Sequence, residues 1–366
     1  MFDDCVIMAG GAGTRLWPAS NSRLPKQFLP ASDKHSFFSM ALERASSVTA
    51  KNGRIVVICG KQHIPNVIDQ TDKLSAAEKK RMVVIGEPAA KNTAAAIACA
   101  VSFSLHSGEN RNILVLTSDH IIKPLKIFRE NAALAASAQG KLAVFGITPN
   151  RPETGYGYIE TNNAPEAGLY RVKAFHEKPD IQTAKKYAAN KRFFWNSGMF
   201  AFNAGFMARQ FSLLAPEIFS HFEKIIKPKH LEFSTSKKVK ILKTWTGLET
   251  AYKKAPGISF DYAIAEKCRE TVMVRAAFDW IDIGNWEEYI KLTLNNNTQV
   301  YSACSDACYV DSDIPVALAG VEDLIIVIRS GNDGKDPVAL ITKKGRTQNV
   351  RDIVEQLKKN AKTGLL

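Results

Sequence analysis

Residues 5–26 read Cys5-Val6-Ile7-Met8-Ala9-Gly10-Gly11-Ala12-Gly13-Thr14-Arg15-Leu16-Trp17-Pro18-Ala19-Ser20-Asn21-Ser22-Arg23-Leu24-Pro25-Lys26. A short apolar strand runs into a glycine-rich turn that carries Arg15 and, further on, Lys26. Gly10, Gly11 and Gly13 let the backbone turn sharply and bring its N–H groups against phosphate oxygens with no Cβ in the way. Arg15 and Lys26 add positive charge at two distinct points, a planar fork and a compact ammonium. The stretch therefore reads as a polyphosphate cradle at the end of the first strand of an α/β sheet. Two commoner glycine loops fail on spacing. A dinucleotide fingerprint starting at Gly11 needs glycine where Leu16 stands, and a Walker A loop needs its lysine inside the turn, whereas Lys26 follows Pro25.

Working outward, β-rich runs at Val6 to Ala9, Ile55 to Cys59, Met82 to Ile85, Ile113 to Thr117 and Leu142 to Gly146 alternate with Ala-rich segments such as Thr93 to Leu105 and Phe128 to Ala138. Such alternation predicts a largely parallel sheet with helices on both faces. Ligands bind such sheets at the carboxyl ends of the strands, where Gly10, Glu87 and Asp119 all fall. Beyond about residue 150 the strands shorten, with helices expected at Ala184 to Asn190 and Ala204 to Leu214. The run Asn295-Asn296-Asn297 breaks the pattern. After it come β-rich pieces at Cys308 to Asp311, Val316 to Ala319, Leu324 to Arg329 and Val338 to Thr342, then an amphipathic helix at Val350 to Lys359 with Ile353, Val354 and Leu357 on one face. A large domain over 1–294 and a small β-rich one over 295–366 is the expected layout for 366 residues.

Further groups carry chemistry. Asp119, directly after the apolar run Ile113-Leu114-Val115-Leu116, is placed to hold a divalent cation against a phosphate oxygen, or else to cap a turn. A second carboxylate is needed, and the candidate is Asp282, in Asp279-Trp280-Ile281-Asp282-Ile283-Gly284-Asn285-Trp286, where Asp279 is the other acid. In Phe175-His176-Glu177-Lys178-Pro179 an acid and a base are adjacent. They can share one ligand only where the strand ends, which Pro179 favours; a surface ion pair is the alternative. Phe194-Trp195-Asn196-Ser197-Gly198-Met199-Phe200 sets small polar residues inside an apolar strand, either to bond a polyhydroxyl ligand or as a self-satisfied bulge.

These motifs, in this order, resemble the sugar nucleotidyltransferases, and with Trp17-Pro18 and Pro25-Lys26-Gln27-Phe28-Leu29 they resemble most closely the mannose-1-phosphate guanylyltransferases. The resemblance spans essentially the whole chain. It implies an α/β fold, a Rossmann-like mixed and largely parallel nucleotidyltransferase sheet with a small β-rich C-terminal domain. It also implies transfer of GMP from GTP to mannose 1-phosphate, Mg²⁺ on Asp119 and Asp282, and a homodimer. Gly10, Gly11, Gly13 and Thr14 form the nucleotide loop; Arg15 holds the departing phosphates and Lys26 the α-phosphoryl region. Glu87, Pro88, Asn92 and Thr93, in Glu87-Pro88-Ala89-Ala90-Lys91-Asn92-Thr93, lie beside the base, with Lys91 where the family carries Arg. Guanine presents N1–H and N2–H₂ donors, which a carboxylate or carbonyl at Glu87 and Pro88 would accept. Lys178 contacts the sugar phosphate, while Glu177, Asn196, Ser197 and Gly157 serve the sugar. Asn285 stands where the family usually has Ser. Another base or sugar, or a catalytically silent homologue, stays open at this point.

Composition narrows the rest. Hydrophobic residues at 45% and charged ones at 23% describe an ordinary globular chain. No apolar run approaches the ~18 residues of a membrane span, and the acidic start Met1-Phe2-Asp3-Asp4 is unlike a signal peptide, so a cytoplasmic protein without membrane partners is expected. The six cysteines, mostly in apolar stretches, read as reduced thiols; Cys304 and Cys308 lack the companions of a metal site. A net charge of +13 and the lysines Lys224, Lys227, Lys229, Lys237, Lys238, Lys240 and Lys243 raise nucleic-acid binding. Few aromatics interleave with them, so a solvated helix face or loop is expected and no nucleic-acid partner.

Overall fold

The structure, a computed structural model, describes every residue except 12, 163, 228–229, 293–297, 332–335, 361 and 366. The asparagine run at 295–297, the expected boundary between 294 and 295, residues 332–335 and Lys229 therefore lie outside the described residues. Contacts divide the chain into two units: Met1–Gly10, Ala41–Ser118 and Ile122–Trp280 form one, and Gly11–Met40, Asp119–Ile121 and Ile281–Leu366 form the other.

The first unit is built on an 11-stranded sheet. Its strands are β1 Phe2–Met8, β2 Thr49–Gly60, β3 Met82–Glu87, β4 Asn112–Thr117, β5 Leu142–Ile147, β6 Tyr158–Thr161, β7 Leu169–His176, β8 Phe193–Asn203, β9 Leu231–Ser236, β10 Val239–Trp245 and β11 Thr271–Arg275. They lie in the order β9-β10-β3-β2-β1-β4-β8-β5-β11-β7-β6. From β10 through β4 neighbours run parallel. β8 then enters antiparallel between β4 and β5, so the sheet is mixed. The helix Asn92–His106 is apolar nearly all round, with Ala94–Ser104 fully buried, which places it inside the core with Val6, Val56, Val115 and Phe260.

Several boundaries differ from the sequence reading for local reasons. The helix expected at Ala184 to Asn190 is Ile181–Ala188, because the Asp180 side chain caps it by accepting from Gln182 N and Thr183 N, each at 2.9 Å. The one expected at Phe128 to Ala138 is Leu125–Ala136, starting directly after Pro124. The lysine-rich stretch is neither a helix face nor a loop over residues 231–245. It forms the edge hairpin β9–β10, in which Val239, Leu242 and Trp245 are buried while Lys240 and Lys243 face solvent. Its turn residues Lys237 and Lys238 take left-handed φ of 47° and 71°, and Lys237 reaches Asp69 and Asp72.

The second unit holds short strands. Leu324–Arg329 pairs parallel with Tyr309–Ser312 and antiparallel with Val338–Lys343, while Val300–Ala303 pairs with Val316–Ala319. Its core joins Leu16, Trp17, Leu29, Phe37, Ile283, Trp286, Ile325, Val327, Leu340, Val350 and Val354. The closing helix Val350–Lys359 buries Val350 and Val354, with Leu357 packed beside them. Ile353, expected on that face, is exposed, because the stripe runs 350, 354, 357 at helical spacing and residue 353 falls beside it. All six cysteines are free thiols. Among the described residues no helix is long and apolar enough to cross a membrane.

Candidate active site

The phosphate loop belongs to the second unit from Gly11 onward. Gly13 sits in the left-handed region at φ 57°, and a Cβ there would stand 2.8 Å from Lys26 N, so both backbone conformation and space require glycine. The Gly13 carbonyl accepts from Ser20 Oγ at 2.5 Å. The chain then turns through Thr14–Leu16, burying Leu16 and leaving Arg15 exposed, with its Nη1 3.6 Å from where a Cβ on Gly284 would lie.

Lys26 opens a tight turn after Pro25 and is buried. Its Nζ lies 3.0 Å from Asp119 Oδ2 and 3.2 Å from Asp282 Oδ1, so the lysine read as a phosphate contact holds together the two carboxylates read as metal ligands. Burial pulls the Lys26 ammonium down, but the two carboxylates outweigh it and leave it above the ordinary lysine value. Burial likewise opposes ionisation of Asp119; Lys26 and His120 prevail and bring it down to about 2. His120 was not assigned a role from sequence, yet it lies close to both carboxylates, its Nε2 3.8 Å from Asp119 Oδ1 and 3.9 Å from Asp282 Oδ1. His120 lies on the short strand His120–Lys123 and Asp282 ends Asp279–Asp282, two strands that pair as a ribbon. Asp279 is exposed. Asn285 caps the short helix Trp286–Ile290 by accepting from Glu288 N at 2.9 Å, a role Ser fills equally well.

Two hard carboxylate oxygens held around one cation suit a divalent ion such as Mg²⁺, which keeps waters and phosphate oxygens as its other ligands. Among the described residues no cluster of three or more His, Cys, Asp or Glu is arranged to hold a metal, so what these residues offer is that carboxylate pair.

In the first unit, Glu87 ends β3 beside Gly10, whose Cβ, if present, would lie 3.3 Å from Glu87 Oε2. Burial pushes the Glu87 carboxyl up to about 7. Tyr252, fully buried, faces both Glu87 and Cys99, and its hydroxyl acts on the Glu87 carboxyl against the larger effect of burial. Pro88 follows, half-buried. Lys91 precedes the helix Asn92–His106 and reaches the Lys253 carbonyl at 3.4 Å. Asn92, at φ 62°, accepts from Thr93 N at 2.8 Å, and Thr93 Oγ1 accepts from Phe260 N at 2.8 Å. Both side chains thus brace the helix start.

The same unit gathers the sugar candidates. β7 ends at His176, and Lys178 takes φ 42°, which turns Glu177 and Lys178 toward each other at 2.8 Å. A Cβ on Gly157 would fall 2.6 Å from Glu177 Oε2 and 3.7 Å from Asn196 Cβ, and the Gly157 carbonyl accepts from Asn196 N at 2.8 Å. β8 bulges against β5 between Asn196 and Phe200, with Gly198 at φ 68°. Asn196 Nδ2 donates to Asp261 Oδ1 at 2.7 Å. Ser197 is buried and its Oγ accepts from Met199 N at 3.4 Å, so the bulge satisfies Ser197 within its own backbone. Asp261 escaped sequence reading; burial, then the neighbouring Glu177, raise its carboxyl above the usual range. The only signal was an acid inside the apolar run Ser259-Phe260-Asp261-Tyr262-Ala263.

The nucleotidyl transferase family signature matches residues 4–299. The mannose-1-phosphate guanylyltransferase RfbM of Salmonella typhimurium is 34% identical over 97% of this chain and 72% of its own length. The chain belongs to the mannose-1-phosphate guanylyltransferases. The xanthan biosynthesis protein XanB of Xanthomonas campestris pv. campestris is 32% identical over 96% of the chain and 73% of its own length. The crystal structure of a mannose-1-phosphate geranyltransferase from Thermus thermophilus matches at TM-score 0.79 and 27% identity, covering 97% of this chain and 99% of that one. Nucleotidyltransferases of this family generally use a divalent metal. In this guanylyltransferase chain the phosphate-side candidates Gly11, Gly13, Thr14, Arg15, Lys26, Asp119 and Asp282 fall in one unit, and the base and sugar candidates in the other.

Proposed function

We propose that this chain transfers GMP from GTP to mannose 1-phosphate, giving GDP-mannose and pyrophosphate. The observation that carries the reading is Lys26 held by Asp119 and Asp282 beside a glycine turn bearing Arg15, in a chain alike over nearly its whole length to guanylyltransferases. A phosphate oxygen of mannose 1-phosphate forms a bond to the α-phosphorus of GTP in line with the breaking bond to the β-phosphate, and pyrophosphate leaves. A phosphate monoester, with its second pKa of ~6, is mostly dianionic at neutral pH, so the nucleophile needs no general base. Positioning and charge neutralisation supply the catalysis.

Arg15 and the backbone of Gly10, Gly11, Gly13 and Thr14 take the β,γ-phosphates, and Lys26 the α-phosphoryl region. Lys178 takes the sugar phosphate, while Glu177, Asn196 and the open backbone at Gly157 take the sugar hydroxyls. Glu87 and the Pro88 carbonyl accept from the guanine N–H groups. Mg²⁺ on Asp119 and Asp282 would neutralise phosphate charge that Arg15, Lys26 and Lys178 leave uncovered. The carboxylate pair around Lys26 supports that choice of ion. The resemblance also implies a homodimer, which sedimentation of the purified chain tests.

The decisive assay is pyrophosphate release across GTP, ATP, UTP and dTTP with mannose 1-phosphate and glucose 1-phosphate. Release with GTP and mannose 1-phosphate well above every other pair is the expected result. Equal or faster release with another base or sugar would replace the substrate assignment.

A further inference from the structure

Arg15 is the exposed middle residue of a turn whose two sides are both anchored within the second unit. On one side the Gly13 carbonyl accepts from Ser20 Oγ. On the other, the Trp17 carbonyl accepts from Trp286 Nε1 at 3.1 Å, and Trp17 Nε1 donates to the Leu365 carbonyl at 2.7 Å. Trp286 is wholly buried and Trp17 is 5% exposed. Leu16 and Trp17 share one apolar cluster with Ile325, Val327, Leu340, Val350 and Val354, and the helix Val350–Lys359 packs directly on the turn Thr14–Leu16. Trp286 itself starts the helix capped by Asn285, two residues after Gly284, over which the Arg15 guanidinium lies.

A guanidinium at the end of a flexible stem aims at a phosphate only if its backbone is fixed, because each free rotation spreads it over many positions. Here the groups that fix the Trp17 side come from residues distant in sequence. We infer that Trp286, backed by the C-terminal helix, is a positioning residue that sets the backbone at Trp17 and so aims Arg15 at the triphosphate. The inference rests on the reading of Arg15 as a triphosphate contact. It gives the C-terminal strands and helix a part in catalysis through the phosphate loop.

The test is a double-mutant cycle on the full chain. Trp286→Phe keeps a large buried ring and removes the N–H. Loss of one neutral hydrogen bond should lower kcat/KM for GTP by about five- to tenfold, leave the KM for mannose 1-phosphate unchanged, and cause no further loss when added to Arg15→Ala. Should Trp286→Phe not fold, Val354→Ala, which loosens the helix under Leu16, carries the same cycle. Losses that multiply in the double variant, a matching rise in the mannose 1-phosphate KM, or unchanged GTP kinetics in a variant of lowered Tm would each overturn the inference and leave the function standing. If Arg15→Ala itself leaves GTP kinetics unchanged, the reading of Arg15 fails and the inference with it.

Discussion

At the scale of single residues, the proposed phosphate chemistry turns on Arg15 and Lys26, and their surroundings set them apart. Arg15→Ala removes an exposed cation and should slow turnover by about 10²-fold, the usual worth of one well-placed transition-state contact, with Tm unchanged. Lys26→Ala should slow turnover at least as much and also leave Asp119 and Asp282 as neighbouring like charges. Added Mg²⁺ should therefore raise the Tm of Lys26→Ala more than that of wild type in a thermal-shift titration; equal shifts would remove the carboxylate pair from the metal assignment. Glu87 offers a pH signature. Its carboxyl, pushed up to about 7 by burial, is largely protonated at pH 6 and largely ionised at pH 8. Guanine donors need the ionised form, so GTP affinity by calorimetry should rise between pH 6 and 8, and Glu87→Gln should lack that component. For stability the sign reverses: a raised folded pKa means the unfolded chain releases this proton first, so Glu87 favours the folded state below the ordinary carboxylate value and loses that contribution as pH climbs through about 7. The glycine turn, Arg15, Lys26 and the strand-end acids were legible as candidates because residue type and spacing suggest their chemistry. His120, Tyr252 and Asp261 were not, because each matters through burial and through neighbours distant in the chain.

At the scale of elements, the helices Ala204–Leu214 and Val350–Lys359 and the strands Val316–Ala319 and Leu324–Arg329 coincide with their expected bounds, since hydrophobic periodicity and β-branched runs mark them. The hairpin β9–β10 was hidden by its lysines, which occupy solvent-facing positions and its turn while Val239, Leu242 and Trp245 do the packing. The polar interruption in β8 was legible as a choice between ligand contact and bulge, and the structure divides the roles within it: Asn196 Nδ2 turns to Asp261 while its Oδ1 accepts from Gly198 N at 3.1 Å, and Ser197 Oγ accepts from Met199 N. Gly198 makes that division possible. A Cβ there would meet Thr117 Cγ2 only at 3.6 Å, an ordinary contact, so Gly198→Ala is opposed by its φ of 68° and not by space. A non-glycine residue in that region costs about 1–2 kcal/mol. Gly198→Ala should fold with a Tm lowered by a few degrees, and relaxation of the bulge should raise the KM for mannose 1-phosphate while the KM for GTP holds. A variant of unchanged Tm and kinetics would show that the bulge does not aim Asn196.

At the scale of the whole molecule, length and texture led to a division along the sequence, a large domain followed by a small one. By contacts, Gly11–Met40 and Asp119–Ile121 group with Ile281–Leu366. Sequence order hides this, because the pairing of Leu16 and Trp17 with Val350 and Val354 is a matter of packing between segments far apart in the chain. This grouping puts the phosphate-side candidates from Gly11 onward in one unit and the base and sugar candidates in the other, so substitutions among the sugar candidates leave Arg15 and Lys26 in place. Lys178→Ala removes a point charge from the sugar phosphate, and Asn196→Ala removes an amide bonded to Asp261; neither residue belongs to the unit that carries Arg15 and Lys26. Titrated by calorimetry, both variants should lose mannose 1-phosphate binding by tenfold or more, about one charged hydrogen bond, and bind GTP with Mg²⁺ as wild type does. Arg15→Ala should weaken GTP and spare the sugar phosphate. If Lys178→Ala instead abolished GTP binding and left mannose 1-phosphate untouched, the roles given to Lys178, Glu177 and Asn196 would have to be exchanged for nucleotide roles, and Gly157 would lose its reason for approaching Glu177.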